Sequence, residues 1–122
     1  MQCLWDIQGK LEQKSIGTIF GKNHNQIKTY ANFNRSTTDR SPKGIKSRVN
    51  TVLNDGFKLI KFAPFDEVIL GMTSKEICAA MQPGLERIYI IRETAGSEIG
   101  IMIDCHWRFN YETTIELIKE IE

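Results

Sequence analysis

The stretch "IGIMIDCHWR", residues 99–108, decides the fold and points to a site. Its first part is a nearly continuous apolar run, which is typical of a strand buried on both faces of a parallel sheet. Three polar residues then follow at alternate positions, namely Asp104, His106 and Arg108. Because side chains alternate between faces along a strand, we expect these three to share one side if the extended chain continues. The two residues between them would then face the helical layer.

The rest of the chain alternates between strand-like and helical segments. Strands are predicted over 27–34 and 57–62, in addition to the one that begins at Ile99. Start signals such as Ser41-Pro42 and stop signals such as Gly96 bound the helical segments. Strands that alternate with helices favour a parallel sheet with right-handed crossovers, so the predicted fold class is α/β. The helices are predicted over 3–13, from Pro42 to Gly56, after Thr73 or Ser74, from Pro83 to Gly96, and after Asn110.

The composition is that of one ordinary globular domain: 122 residues, 41% hydrophobic and 25% charged. Sixteen basic and fifteen acidic residues give a net charge of +1, which provides no electrostatic reason to expect nucleic acid or an anionic membrane as a partner. No apolar run approaches the roughly 20 residues needed to cross a bilayer. The amino-terminal segment does not read as a signal peptide, and three cysteines without metal-type spacing favour a cytoplasmic location.

Lys61 lies at the end of the second predicted strand, where a ligand of a parallel α/β sheet is expected. A lysine in this place is costly to bury without a partner. We therefore expect Lys61 and Asp104 to face each other, or a ligand, at the rim of a shared pocket. Each residue alone also has a structural interpretation: an aspartate at a strand end is often a helix cap or an ion-pair partner, a lone histidine is usually structural, and Lys61 could be a surface lysine.

Several segments together resemble the mandelate racemase/muconate lactonizing enzyme branch of the enolase superfamily. They are "CLWDIQGK" followed by "IKTYANFN", then "GFKLIKFAPFD", then "GLERIYIIRETAGSEIGIMIDCHWRF", in the family's order and spacing. The resemblance extends from about Leu4 to Glu122 and implies a modified (β/α) barrel. In this interpretation the chain is the amino-terminal part of the barrel, with a leading helix and loop (1–26) and three successive βα units (27–56, 57–96 and 97–122).

The resemblance also implies a chemistry. In this family, carboxylates at the ends of three consecutive strands hold Mg²⁺, which stabilises the enediolate formed when a base removes the proton α to the substrate carboxylate. Asp104 matches the first metal ligand. Lys61 matches the first lysine of a Lys-x-Lys motif that lies near the substrate carboxylate and is a candidate catalytic residue. Ala63 replaces the second lysine, the base of racemases, which argues against a racemase or epimerase that uses a lysine base on this side.

The Asp-x-His-x-Arg form of residues 104–108 is similar to that of sugar-acid dehydratases of the superfamily. There the histidine protonates the departing hydroxyl, so the resemblance makes His106 the candidate general acid. Arg108 is a candidate substrate contact. Asn32, at the end of the first strand, is a further candidate polar contact, although a role as a turn former is at least as plausible. The implied activity is Mg²⁺-dependent dehydration of a small-molecule sugar acid (aldonate).

A complete barrel of this type needs roughly 250 residues. The capping domain and the later strands, which carry the other two metal carboxylates and the usual base, are absent from these residues. We therefore expect this chain to be a fragment that is inactive alone, binds Mg²⁺ poorly, and works with the remainder of the barrel or as a homo-oligomer. A non-catalytic relic, a split-barrel partner chain, and a racemase or cycloisomerase are the alternatives. A phosphate-accepting receiver domain is disfavoured because "YANFN" lacks the acidic pair that it needs.

Overall fold

The structure is a computed structural model and describes residues 1–21, 24, 26–34 and 37–122. The polar stretches "GKNHN" (21–25) and "STTDRSP" (36–42), which the sequence predicts to be loops, therefore lie partly outside the described residues. Helices and strands alternate along most of the chain, as the sequence predicts. They are α1 (Gln2–Glu12), α2 (Ile16–Ile19), β1 (Ala31–Asn32), α3 (Pro42–Asn54), β2 (Leu59–Phe62), α4 (Ser74–Ala80), α5 (Gln82–Ala95), β3 (Gly100–Ile103) and α6 (Tyr111–Ile121).

The strands form one parallel sheet in the order β1-β2-β3, which confirms the predicted α/β class. The register places Asn32 beside Lys61, and Lys61 beside Met102. The strand predicted over 27–34 is shorter than expected, because pairing with β2 begins only at Ala31.

Helices cover one face of the sheet. Alternation along β2 buries Ile60 and Phe62 on this face, where α3 packs against α5. On the other face, Leu59 and Lys61 are only half-buried and Met102 is exposed. The main core cluster consists of Phe33, Ile45, Val49, Val52, Ile60, Phe62, Ile91 and Ile99.

A second cluster lies under the segment that follows β2. Phe65 in this segment approaches α5 so closely that a Cβ at Gly84 would lie 2.2 Å from its ring, which explains the glycine. The segment therefore rests directly on the helix backbone. The cluster consists of Phe65, Val68, Ile77, Met81, Leu85, Ile88 and Leu117.

The predicted helix signals are confirmed. The Ser41 hydroxyl accepts a hydrogen bond from the Gly44 N–H at the start of α3, and Thr73 and Asn110 form capping boxes at α4 and α6. Helix α1 packs on the short α2 through an edge-on contact between Trp5 and Phe20. Its apolar residues Leu4, Ile7 and Leu11 are nevertheless exposed in the described structure. Among the described residues, no helix has the length and apolar character needed to cross a membrane.

Candidate active site

The carboxyl ends of the three strands bring the predicted polar residues together. Asp104 follows β3 directly, and its N–H continues the ladder by donating to the Phe62 carbonyl at 2.9 Å. Because Met102 pairs with Lys61 and side chains alternate along the strand, Asp104 lies on the same side of the sheet as Lys61. Asn32 lies beside Lys61 on the other neighbouring strand.

Lys61 and Asp104 form an ion pair, as the sequence predicts. The Lys61 Nζ lies 2.9 Å from Asp104 Oδ2, and about a quarter of each side chain is exposed. The hydrogen bond from Lys61 lowers the pKa of Asp104, against the opposing effect of partial burial. The same hydrogen bond raises the pKa of Lys61. Both groups therefore stay charged at neutral pH.

His106 contacts the Asp104 carboxylate of this pair with both its ring and its backbone. Its Nε2 lies 3.4 Å from Asp104 Oδ2, and its backbone N–H donates to Asp104 Oδ1 at 3.2 Å. One carboxylate thus contacts the ammonium of Lys61 and both the ring and the backbone of His106. The imidazole is about half exposed, so a molecule in the adjoining space can reach it.

The chain does not stay extended to Arg108, so the expectation that Asp104, His106 and Arg108 share one side is wrong for Arg108. Residues 105–108 form a β-turn in which the Arg108 N–H donates to the Cys105 carbonyl at 3.0 Å. Its central residues have φ of 48° and 61° and neither is a glycine, which costs about 1–2 kcal/mol each. Cys105 packs on the second core cluster as expected, but Trp107 is 95% exposed and does not enter the helical layer.

The Arg108 side chain lies on the backbone of the segment after β2. Its Nη1 donates to the carbonyls of Phe65, Asp66 and Val68 at 2.5–2.9 Å. Arg108 is not among the residues that line the pocket at the strand ends. The predicted role of Arg108 as a substrate contact stays a prediction.

Two more arginines hold the same segment. Arg40 donates to the Ala63 carbonyl at 2.7 Å and forms an ion pair with Asp66. Arg87 donates to the Pro64 carbonyl at 2.6 Å and binds the Glu67 carboxylate through both terminal nitrogens. We call residues 63–68, held in this way, the clamped segment. It adjoins the pocket at the strand ends, which its first residue, Ala63, helps to line.

The pocket has a volume of about 390 Å³. Sequence reasoning missed one of its polar residues, Asn34, whose side chain accepts a hydrogen bond from Arg40 at 3.0 Å. The Asn-x-Asn spacing after β1 was the available signal. The Asn32 side chain accepts a hydrogen bond from the Asn34 N–H at 3.3 Å, so it does act as a turn former while also lining the pocket. The lining residues are Asn32, Asn34, Lys61, Phe62, Ala63, Asp104 and His106.

A carboxylate such as Asp104 suits Mg²⁺, which prefers oxygen ligands. Within the described ranges, however, no three His, Cys, Asp or Glu side chains are grouped so that they could hold a metal ion. The ammonium of Lys61 also contacts Oδ2 of Asp104. The described residues alone therefore do not make a complete Mg²⁺ site.

No family model matches the chain. In sequence, the chain is 28% identical over 121 residues to a D-gluconate dehydratase from Thermoproteus tenax, which covers 98% of this chain and 23% of that protein. It is also 30% identical over 122 residues to a D-galactonate dehydratase from Xanthomonas campestris pv. campestris, with coverage of 99% and 30%. The chain thus spans about a quarter to a third of the length of these curated relatives.

Comparison with solved structures also matches this chain to part of larger proteins, here by fold. A provisionally assigned dehydratase from Mesorhizobium loti matches with a TM-score of 0.76 at 27% identity, over 98% of this chain and 32% of that one. A member of the enolase superfamily from Salmonella Typhimurium matches with a TM-score of 0.71 at 20% identity, over 97% and 34%. The predicted resemblance is confirmed for the part of these proteins that the chain spans.

Proposed function

Because this chain is a homologue of sugar-acid dehydratases and shares its fold with a member of the enolase superfamily, we propose that it supplies part of the active site of an aldonate dehydratase. In this reaction, a base removes the proton on the carbon next to the substrate carboxylate. The hydroxyl on the following carbon then takes up a proton and leaves as water. The resulting enol rearranges to a 2-keto acid.

The single observation that carries this proposal is the contact of Lys61, Asp104 and His106 in one pocket at the strand ends. Lys61 has a raised pKa, so it suits an anion-binding role better than removal of a proton. We assign it to the substrate carboxylate. His106 presents a half-exposed imidazole at the pocket, and we assign it as the acid that protonates the leaving hydroxyl.

Asp104 would be one oxygen ligand of Mg²⁺, together with carboxylates from outside these residues. When bound, the cation would supply Lewis-acid stabilisation of the negative charge that develops on the substrate. The base is also proposed to come from outside these residues, since the pocket-lining Ala63 has no titratable group. Asn32 stays a candidate for a polar substrate contact because it lines the same pocket.

The length of the relatives supports the idea that further strands complete the site. We propose that the remainder of the barrel provides them, from the same polypeptide or from a partner chain, with a homo-oligomer as the alternative. A cytoplasmic location is part of this proposal and fits the three free cysteines, Cys3, Cys78 and Cys105.

The test is dehydration of sugar acids by the natural polypeptide that carries this chain. Gluconate, arabinonate and galactonate would be incubated with the protein and Mg²⁺, and 2-keto acid formation would be measured. We expect Asp104→Asn to lower the rate by about 100-fold or more, as loss of a ligand to a catalytic cation does. Asp55→Asn, at the opposite end of the sheet, is the matched control. A folded wild-type protein that dehydrates none of a broad aldonate panel would favour the non-catalytic alternative.

A further inference from the structure

We propose that Arg108 is a positioning residue: its guanidinium fixes the turn of residues 105–108 and so keeps the His106 imidazole beside Asp104. The kinetic consequence of this inference rests on the proposed function. Its structural part, that the turn depends on Arg108, does not.

The turn has a backbone geometry that its own residues disfavour. Both central residues, His106 and Trp107, have positive φ, which turns of this kind normally assign to asparagine or glycine. Outlying backbone geometry of this type persists only where the surrounding structure enforces it, and it clusters at functional sites. The interactions that enforce it must therefore come from the residues at the two ends of the turn.

The first end is fixed by the sheet. The Asp104 N–H donates to the Phe62 carbonyl, and Asp104 Oδ1 accepts the N–H of His106. The second end is fixed by Arg108. Its N–H closes the turn onto Cys105, while its Nη1 reaches the carbonyls of Phe65, Asp66 and Val68.

The tip of the turn has little packing of its own. Trp107 is 95% exposed and the His106 side chain is about half exposed. In contrast, Cys105 and Phe109 pack on the second core cluster, and the Phe109 ring meets Phe65 edge-on at 4.8 Å. Apart from its contact with Asp104 Oδ2, the direction of the imidazole therefore depends on how the two ends of the turn are held.

Arg108 is well placed for this role because its acceptors are themselves held. They belong to the clamped segment, residues 63–68, which Arg40 and Arg87 also bind. All three carbonyls accept from one guanidinium nitrogen, Nη1, while the backbone N–H of the same residue closes the turn. A lysine ends in a compact ammonium on a shorter side chain, so it should replace these contacts only in part.

The experiment compares Arg108→Ala and Arg108→Lys with Arg92→Ala in the natural polypeptide that carries this chain. Arg92 is a matched control, because its Nη1 also donates to backbone carbonyls, those of Gly96 and Ile99, but at the amino end of β3. Hydrogen exchange of a peptide covering 104–110 reports on the turn without requiring activity. Exchange of residues 42–54 in the same samples reports on global stability.

In Arg108→Ala we expect exchange of the 104–110 peptide to rise by about 10-fold, since its backbone hydrogen bonds open more often. The 42–54 peptide should not change, and Arg92→Ala should leave 104–110 unchanged. Arg108→Lys should give an intermediate increase in exchange, so the test survives if the alanine variant does not fold. With an aldonate substrate, kcat should fall by about 100-fold with little change in KM, because a displacement of about 1 Å at a catalytic group has that effect.

The proposal is overturned if exchange at 104–110 is unchanged in both Arg108 variants, or rises equally in Arg92→Ala. Unchanged exchange with a raised KM would instead make Arg108 a direct substrate contact. If the wild-type protein dehydrates no sugar acid while exchange responds as expected, the proposed function fails and the positioning role of Arg108 in the turn stands.

Discussion

The two ends of the sheet differ in which residue types adopt positive φ. At the amino ends of β2 and β3, the chain takes up positive φ at Gly56 (84°) and Gly96 (78°), where a glycine adopts it without strain. At the carboxyl end of β3, positive φ falls on His106 and Trp107. The amino end thus uses residues that make turns easy, whereas the carboxyl end keeps a difficult turn. Because strained backbone clusters at functional sites, the difference favours a functional site at the carboxyl end.

The cavities at the two ends support this conclusion. The amino-end cavity is larger, about 880 Å³, and contains Lys28, Asp55 and Lys58 among its lining residues. The carboxyl-end pocket is less than half that volume but holds the contacts of Lys61, Asp104 and His106. Ligands of parallel sheets bind at the carboxyl ends of the strands. The convergent polar groups therefore favour the carboxyl-end pocket as the candidate site, although the amino-end cavity is larger.

The largest expected effect is on the rate of dehydration, which should depend on His106 and not on His24, the other histidine of the chain. His106→Asn should lower the rate of aldonate dehydration by about 100- to 10,000-fold, the usual range for loss of a general acid. His24→Asn, at an exposed position away from the pocket, should leave the rate unchanged. The measurement is steady-state kinetics with Mg²⁺ and a sugar acid. Equal rates for both variants would contradict the assignment of His106 as the general acid.

The second effect compares the two ends of β2 itself. Phe62 is fully buried, stacked on Phe33 at 4.9 Å and covered by the Arg40 guanidinium at 4.5 Å. Phe62→Ala should lower the free energy of unfolding by about 3–5 kcal/mol. Leu59→Ala, at the half-buried amino end of the strand, should cost only about 1 kcal/mol because less apolar surface is lost. Urea unfolding followed by circular dichroism measures both, and similar values would contradict the difference.

The third effect concerns pH and the clamped segment. The hydrogen bond from Arg87 lowers the pKa of Glu67, against the opposing effect of burial. Because the folded-state pKa lies below the unfolded value of about 4.3, the pair stabilises the fold above that pH and the contribution is lost as pH falls through the folded-state pKa.

We therefore expect Glu67→Gln to lower the unfolding free energy by about 1 kcal/mol at pH 7, a modest value because solvent screens the partly exposed carboxylate. The difference from wild type should shrink in acid. Glu93→Gln is the control, since its pair with Lys46 is well exposed and 3.4 Å long. A difference that persists at low pH would mean that Glu67 stabilises the segment by packing and not by charge.

The smallest effect tests the difference in positive φ between the glycines at the amino end and the non-glycine residues at the carboxyl end. Trp107→Gly should raise the unfolding free energy by about 0.5 kcal/mol, since relief of the positive φ slightly exceeds the entropy cost of glycine. Gly96→Ala should do the reverse and lower it by about 1 kcal/mol. Thermal unfolding of both variants gives the sign of each change. A destabilised Trp107→Gly protein would show that the turn is not strained.

Much of the fold was predictable because its signals are local. The Ser41-Pro42 pair marks the start of α3, Asn110 marks the start of α6, and the apolar run before Asp104 marks the last strand. The facing of Lys61 and Asp104 was predictable from strand alternation and from the cost of burying a lone lysine. Helix caps, apolar runs and strand alternation are each visible within a few consecutive residues, so a single sequence is enough to predict them.

The turn at 105–108 was not predictable from the same rules. Alternation assumes that the chain stays extended, and nothing in "CHWR" signals a turn, because neither central residue is a glycine or asparagine. The turn depends on carbonyls some 40 positions earlier in the chain, which accept from Arg108. Arg40 and Arg87 were missed for the same reason, since their acceptors lie 23 positions away. Long-range contacts to backbone oxygens leave no pattern in the sequence.

The three arginines come from three successive βα units and converge on the segment after β2. Arg40 precedes α3, Arg87 lies within α5, and Arg108 follows β3. Removing the first or the third unit would leave a carbonyl of that segment without its charged donor, so the units are not independent modules. The clamped segment has all of its arginine contacts only when the three units are folded together, so the part of the pocket at Ala63 is coupled to the packing of all three units.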